Sequence, residues 1–193
     1  MIDGNDYYSG NFNGNGYYLN VGGLSQEWNN SAPFRYVGDG VVLTNIKVKG
    51  DITSSNDWTA ALVGLQKGRA YIENCYVTGD MTITNKGGGA IWCGGMVGEA
   101  QGSLYISNSM VAARLSDGGV RAYYWGGFVG DKTKDAYVHI RNSFFSPRST
   151  AFVDEKAMNE GSATCVNSSM PAIKYIVINL MKDEYIYTEI TKY

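Results

Sequence analysis

The chain has 193 residues, enough for one domain with a core, and 44% of them are apolar. Its 16 basic and 18 acidic residues leave a formal charge of −2, which argues against a nucleic-acid binder that works through a broad cationic face. No apolar run approaches the roughly 18 residues that span a bilayer, and a single histidine, His139, excludes a multi-histidine metal site.

The chain opens on Met1-Ile2-Asp3-Gly4-Asn5, polar turn residues without the character of a secretory leader. Residues 1–32 read as an opening arc with a loop around Gly22-Gly23-Leu24-Ser25-Gln26-Glu27-Trp28. From 33 to 150 the sequence repeats. Val-Gly recurs at Val37-Gly38, Val63-Gly64, Val97-Gly98 and Val129-Gly130, with steps of 26, 34 and 32. An Asn recurs at Asn45, Asn74, Asn108 and Asn142, with steps of 29, 34 and 34, and the tryptophans Trp28, Trp58, Trp92 and Trp125 are spaced 30, 34 and 33. Three markers thus share one period and one internal order, and such a period is the signature of a stacked repeat.

Before each Asn the chain alternates apolar and polar residues, as in Ala70-Tyr71-Ile72-Glu73 and Val138-His139-Ile140-Arg141, which predicts short strands with one face inward. Glycine clusters, and the glycines Gly38, Gly64, Gly98 and Gly130 of the Val-Gly marker, are expected at turns. Units of this length cannot close a core alone and must stack on their neighbours. The expected architecture is therefore all-β: a right-handed parallel β-helix of about four coils. Its Asn column would form a hydrogen-bonded ladder, and its Ile and Val columns an internal stack. Residues 151–193 read as a loop and a cap, with a hairpin of 172–180 and 185–190 around Lys182-Asp183-Glu184. The whole is treated as one domain, a piece of a larger protein.

Gly94-Gly95-Met96-Val97-Gly98, Gly126-Gly127-Phe128-Val129-Gly130 and Ala60-Ala61-Leu62-Val63-Gly64, each followed by an Ile-x-Asn strand, resemble the GLUG repeat. The opening segment Tyr8 to Leu19 is similar to the arc that precedes such repeats, with Asn13 in place of an Asp and Tyr17 in place of a His. The resemblance covers roughly residues 8–150. It implies an exported, cell-surface stalk or binding module of an adhesin-like bacterial protein, and it supplies no catalytic residues.

Candidate sites follow from the columns. Trp58, Trp92 and Trp125 could present a stripe to sugar rings, although stacking over the edge of the core is the favoured reading. Tyr71, Tyr105 and His139 occupy equivalent outward positions and form a second aromatic column. Glu99 with Asp131, and Asp51 with Asp80, are paired acids that a Ca²⁺ ion could bridge, but Leu65 and Arg114 interrupt the two columns and solvated turn acids are favoured. The three cysteines, Cys75, Cys93 and Cys165, lack a Cys-x-x-Cys pair and read as buried packing thiols, with no disulfide or zinc ribbon. No metal, no cofactor and no catalytic residue is expected. The expected function is a non-catalytic binding or structural module with a host glycan or a surface protein as partner. A β-helical polysaccharide lyase or glycoside hydrolase is the alternative, and a stalk that self-associates through its ends is a third reading.

Overall fold

A computed structural model describes residues 7–26, 31–55, 58–87, 89–116, 122–145, 179–180 and 184–185. These residues contain strands and turns and no helix. Trp28, Cys165 and most of the expected C-terminal cap lie outside them.

The chain winds as a parallel β-solenoid of about four turns behind an opening arc. The arc carries β1 (Asn11–Asn13), β2 (Tyr18–Asn20) and β3 (Leu24–Gln26). The first turn carries β4 (Phe34–Val37), β5 (Val41–Thr44) and β6 (Lys47–Ser54). The second carries β7 (Thr59–Ala60), β8 (Val63–Gln66), β9 (Arg69–Glu73) and β10 (Tyr76–Asn85). The third carries β11 (Gly89–Gly94), β12 (Val97–Ala100), β13 (Ser103–Ser107), β14 (Met110–Val111) and β15 (Arg114–Ser116). The fourth carries β16 (Ala122–Gly126), β17 (Val129–Lys132), β18 (Tyr137–Arg141) and β19 (Phe144–Phe145).

Equivalent strands of successive turns pair in parallel to give four sheets. Along one winding the chain visits sheet I (β7-β11-β16), sheet II (β4-β8-β12-β17), sheet III (β1-β5-β9-β13-β18) and sheet IV (β2 and β3, β6, β10, β14 and β15, β19). Separately, β20 (Asn179–Leu180) and β21 (Glu184–Tyr185) pair antiparallel, with Leu180 opposite Glu184. Glu184 is therefore a strand residue and not part of the turn that the sequence suggested.

The core is a set of columns. Leu43, Ile72, Ile106 and Ile140 stack in register through sheet III, and Val48, Val77, Val111 and Phe145 through sheet IV. All but Ile140 and Phe145, at the last turn, are fully buried. Each such aliphatic side chain withdrawn from water stabilises the fold by roughly 1.5–3 kcal/mol before the cost of ordering it.

Each winding bends sharply between sheets III and IV, and the Asn marker sits at that bend. Asn45, Asn74, Asn108 and Asn142 stand in one file with φ of 54°, 53°, 49° and 46°. Asn is the residue type, after Gly, that tolerates this left-handed conformation best. Nδ2 of Asn45 donates to Oδ1 of Asn13 at 3.0 Å, Asn74 to Asn45 at 2.6 Å and Asn142 to Asn108 at 3.4 Å. The ladder has one interruption: Asn108 donates to Oε1 of Glu73 at 3.5 Å, and not to Asn74. Inside the same bend runs a second ladder. The backbone N–H of Cys75 donates to Oγ of Ser109, and that of Ser109 to Oγ of Ser143, both at 3.1 Å.

Two expected registers differ. Phe34, not Val37, lies opposite Val63, so Val37-Gly38 falls at the end of β4 and outside the Val-Gly column. The spacing explains why: Phe34 to Val63 is a step of 29, the same as Asn45 to Asn74, whereas Val37 gives 26. The repeated glycines also serve differently. Gly64, Gly98 and Gly130 lie within strands of sheet II, and positive φ falls on glycines outside this marker, among them Gly40 and Gly68 at 75° and 74°. A Cβ at Gly98 would lie 2.6 Å from the Gly64 carbonyl oxygen and 2.9 Å from the Trp58 backbone, so the residue is small because the backbone of the preceding turn closes over it.

Candidate functional site

Sheet III turns one face to the core and the other to solvent, and the strict two-residue period of its strands decides which residues go where. The burial of β9 alternates exposed and buried from Arg69 to Glu73, and β13 and β18 follow the same alternation in attenuated form. Three outward columns result: Arg69, Ser103 and Tyr137; Tyr71, Tyr105 and His139; Glu73, Ser107 and Arg141.

The expected column of Tyr71, Tyr105 and His139 is therefore a single file, and Tyr137 joins it from the neighbouring column. The rings of Tyr71 and Tyr105 stack with centroids 5.0 Å apart and planes 14° apart. Tyr137 and His139, two residues apart on β18, are also nearly parallel at 6.2 Å and 14°. Between these two pairs the planes tilt. Tyr105 meets Tyr137 at 55° and His139 at 48°. The result is an open notch of about 270 Å³ with ring faces on two sides and the column of Glu73, Ser107 and Arg141 along its edge. Tyr71 is 39% and Tyr137 53% exposed, so both side chains are open to solvent.

The hydroxyl of Tyr137 and Nδ1 of His139 are 3.4 Å apart, so the imidazole faces a phenol and not a carboxylate. Glu73 and Arg141 belong to strands two rungs apart in the column, roughly 9.6 Å at the usual strand spacing. The notch thus offers ring faces, one anion, one cation and hydroxyls, a set suited to holding a ligand with apolar faces and polar edges.

The tryptophans lie elsewhere. Trp58 and Trp92 stack at 5.7 Å and 18° beside sheet I and are half-buried. Trp125 leaves the column: it pairs with Cys93, and Tyr124 is the residue opposite Trp92. The step from Trp92 to Tyr124 is 32, matching Val97 to Val129, whereas Trp125 gives 33. Trp58 is strained, with φ of 54° on a bulky residue, and its buried indole N–H has no acceptor among the described residues.

The acidic pairs separate into one that stacks and one that does not. Glu99 lies opposite Asp131, with Leu65 on its other side, and its Oε2 accepts from Nε2 of Gln101 at 3.1 Å. Asp51 lies opposite Thr82, because an irregularity between Val77 and Met81 carries Asp80 out of register. Among the described residues no three His, Cys, Asp or Glu side chains gather where a metal ion could be held. Cys75 and Cys93 are buried and form no disulfide, and among the described residues no helix is long and apolar enough to cross a membrane.

Sequence reasoning missed Tyr137 as a member of the aromatic face. The signal was present, since Tyr137 and His139 share an alternating strand, but a column of equivalent positions draws attention only along the solenoid axis. Across the strand, residues two apart are separated by about 6.6 Å, which is still near enough for rings of this size to meet.

The fold and this face define a class: an all-β parallel solenoid with an exposed aromatic notch on one sheet. Comparison of the chain with known protein families, curated proteins and solved structures returns no match.

Proposed function

We propose that the chain is a non-catalytic binding module, displayed on a bacterial cell surface in an adhesin-like protein, that takes a glycan on the outward face of sheet III. One observation carries the reading: four aromatic rings, Tyr71, Tyr105, Tyr137 and His139, form one contiguous outward patch beside Glu73, Ser107 and Arg141. Pyranose rings have an apolar face and a rim of hydroxyls, and an aromatic face edged by hydrogen-bonding groups complements both. The surface location rests on the GLUG-like segments alone.

The test is a glycan array probed with the wild type and with Tyr105→Ala. Tyr105 touches both ring pairs, so its loss should abolish signals that the wild type gives. An array on which the wild type binds nothing, or on which both proteins bind equally, would remove this reading.

A further inference from the structure

Resting on the glycan reading, we infer that the notch selects an acidic glycan and binds it in one direction, with a sugar carboxylate at Arg141 and the neutral part of the chain over Tyr71 and Tyr105. The charged residues at outward strand positions of sheet III are Arg69, Glu73 and Arg141, and the Asp39 carboxylate lies at the backbone N–H of Arg69, so Arg141 is the cation on this face with no acidic residue beside it among the described residues. Arg141 is exposed at the last described rung of the column, beside His139 and opposite Ser107, and has no ion-pair partner among the described residues. Its planar guanidinium can grip a carboxylate with two parallel hydrogen bonds.

Polarity comes from Glu73. It stands in the same column as Arg141, two rungs towards the N-terminal end, and among the described residues its carboxylate accepts the long 3.5 Å bond from Asn108. An anion over Tyr71 would face this carboxylate, whereas an anion over Tyr137 and His139 would face Arg141. Like charge at one end and opposite charge at the other fix orientation as well as class. Between them lie Ser107 and the Tyr105 ring, which suit an uncharged sugar.

The probes are an oligogalacturonate and its fully methyl-esterified form of equal length, which differ in charge and little in shape. With the wild type at low salt, the acidic form should bind about tenfold more tightly, and the ratio should shrink as salt is added. Arg141→Gln should bring the ratio close to one, Arg141→Lys should keep part of it, and Glu73→Gln should raise affinity for the acidic form. Lys47→Gln, on sheet IV, should leave the ratio as in the wild type. Equal affinity of the wild type for both forms, or a preference that survives Arg141→Gln, overturns the inference and leaves the glycan reading standing. Binding of neither form, together with an empty glycan array, removes both.

Discussion

The side-chain amide of Asn74 donates to Oδ1 of Asn45 in the preceding turn at 2.6 Å, and both residues hold left-handed backbone conformations. Two demands meet at one position: a φ that most side chains resist, and a donor-acceptor pair that reaches along the axis. Asn74→Ala fails both. It should cost about 2–3 kcal/mol, the sum of roughly 1–2 for the left-handed backbone and about 1 for the hydrogen bond. Asn74→Gly keeps the backbone freedom and should cost about 1 kcal/mol less. Urea denaturation of the three proteins checks the order, and equal midpoints for the Ala and Gly variants would refute it.

Cys75 takes the place that Ser109 and Ser143 hold one and two turns later. Its thiol donates to the Glu73 carbonyl at 3.3 Å, as the two hydroxyls donate to the carbonyls of Ser107 and Arg141. Burial pushes the thiol up to about 12 from the ordinary 9.0. The folded form therefore holds its proton at pH values where the unfolded chain releases it. Stability from this group is complete below about pH 9 and falls as pH rises from there towards 12. Native protein at pH 8 should leave Cys75 unlabelled by iodoacetamide, as peptide mass spectrometry would show, and denaturation should expose it. Cys75→Ser should stay folded, because the hydroxyl can make the same bonds.

Trp58 and Trp92 stack beside sheet I, whereas the aromatic notch lies on sheet III. Replacing either indole should therefore weaken the fold and spare the ligand face. Trp92→Ala should lose about 2 kcal/mol, less than the roughly 3–5 of a fully buried tryptophan. Its glycan-array pattern should match that of the wild type. A Trp92→Ala protein with unchanged melting temperature and lost binding would move the site to the tryptophans.

Gly98→Ala adds one methyl group against the backbone of the preceding turn, at Gly64 and Trp58. With a carbonyl oxygen 2.6 Å away and the Trp58 backbone at 2.9 Å, neither neighbour is a flexible side-chain tip that can swing aside. The substitution should cost about 1–3 kcal/mol or more, read as a lower denaturation midpoint.

Much of this architecture was legible because a solenoid writes its third dimension into its period. The Asn steps gave the rung assignment of sheet III directly, and the alternation around Ile72, Ile106 and Ile140 separated inward from outward residues. In two places residue identity and a shared step disagree, and the structure follows the step. Val37 resembled Val63 but differed from the Asn step by three residues, and Trp125 resembled Trp92 but missed the sheet II step by one. The positive φ of the Asn file explains in retrospect why that marker was the dependable one.

Because inward positions of β9, β13 and β18 hold the core while their outward neighbours touch little besides one another, the two faces answer to separate selective pressures. The exterior row is a keyboard on a fixed frame. Exchanging Tyr71, Ser107 or Arg141 for other polar or aromatic residues should rewrite what the protein recognises while leaving the winding intact. Duplicating a turn would lengthen the row by one key.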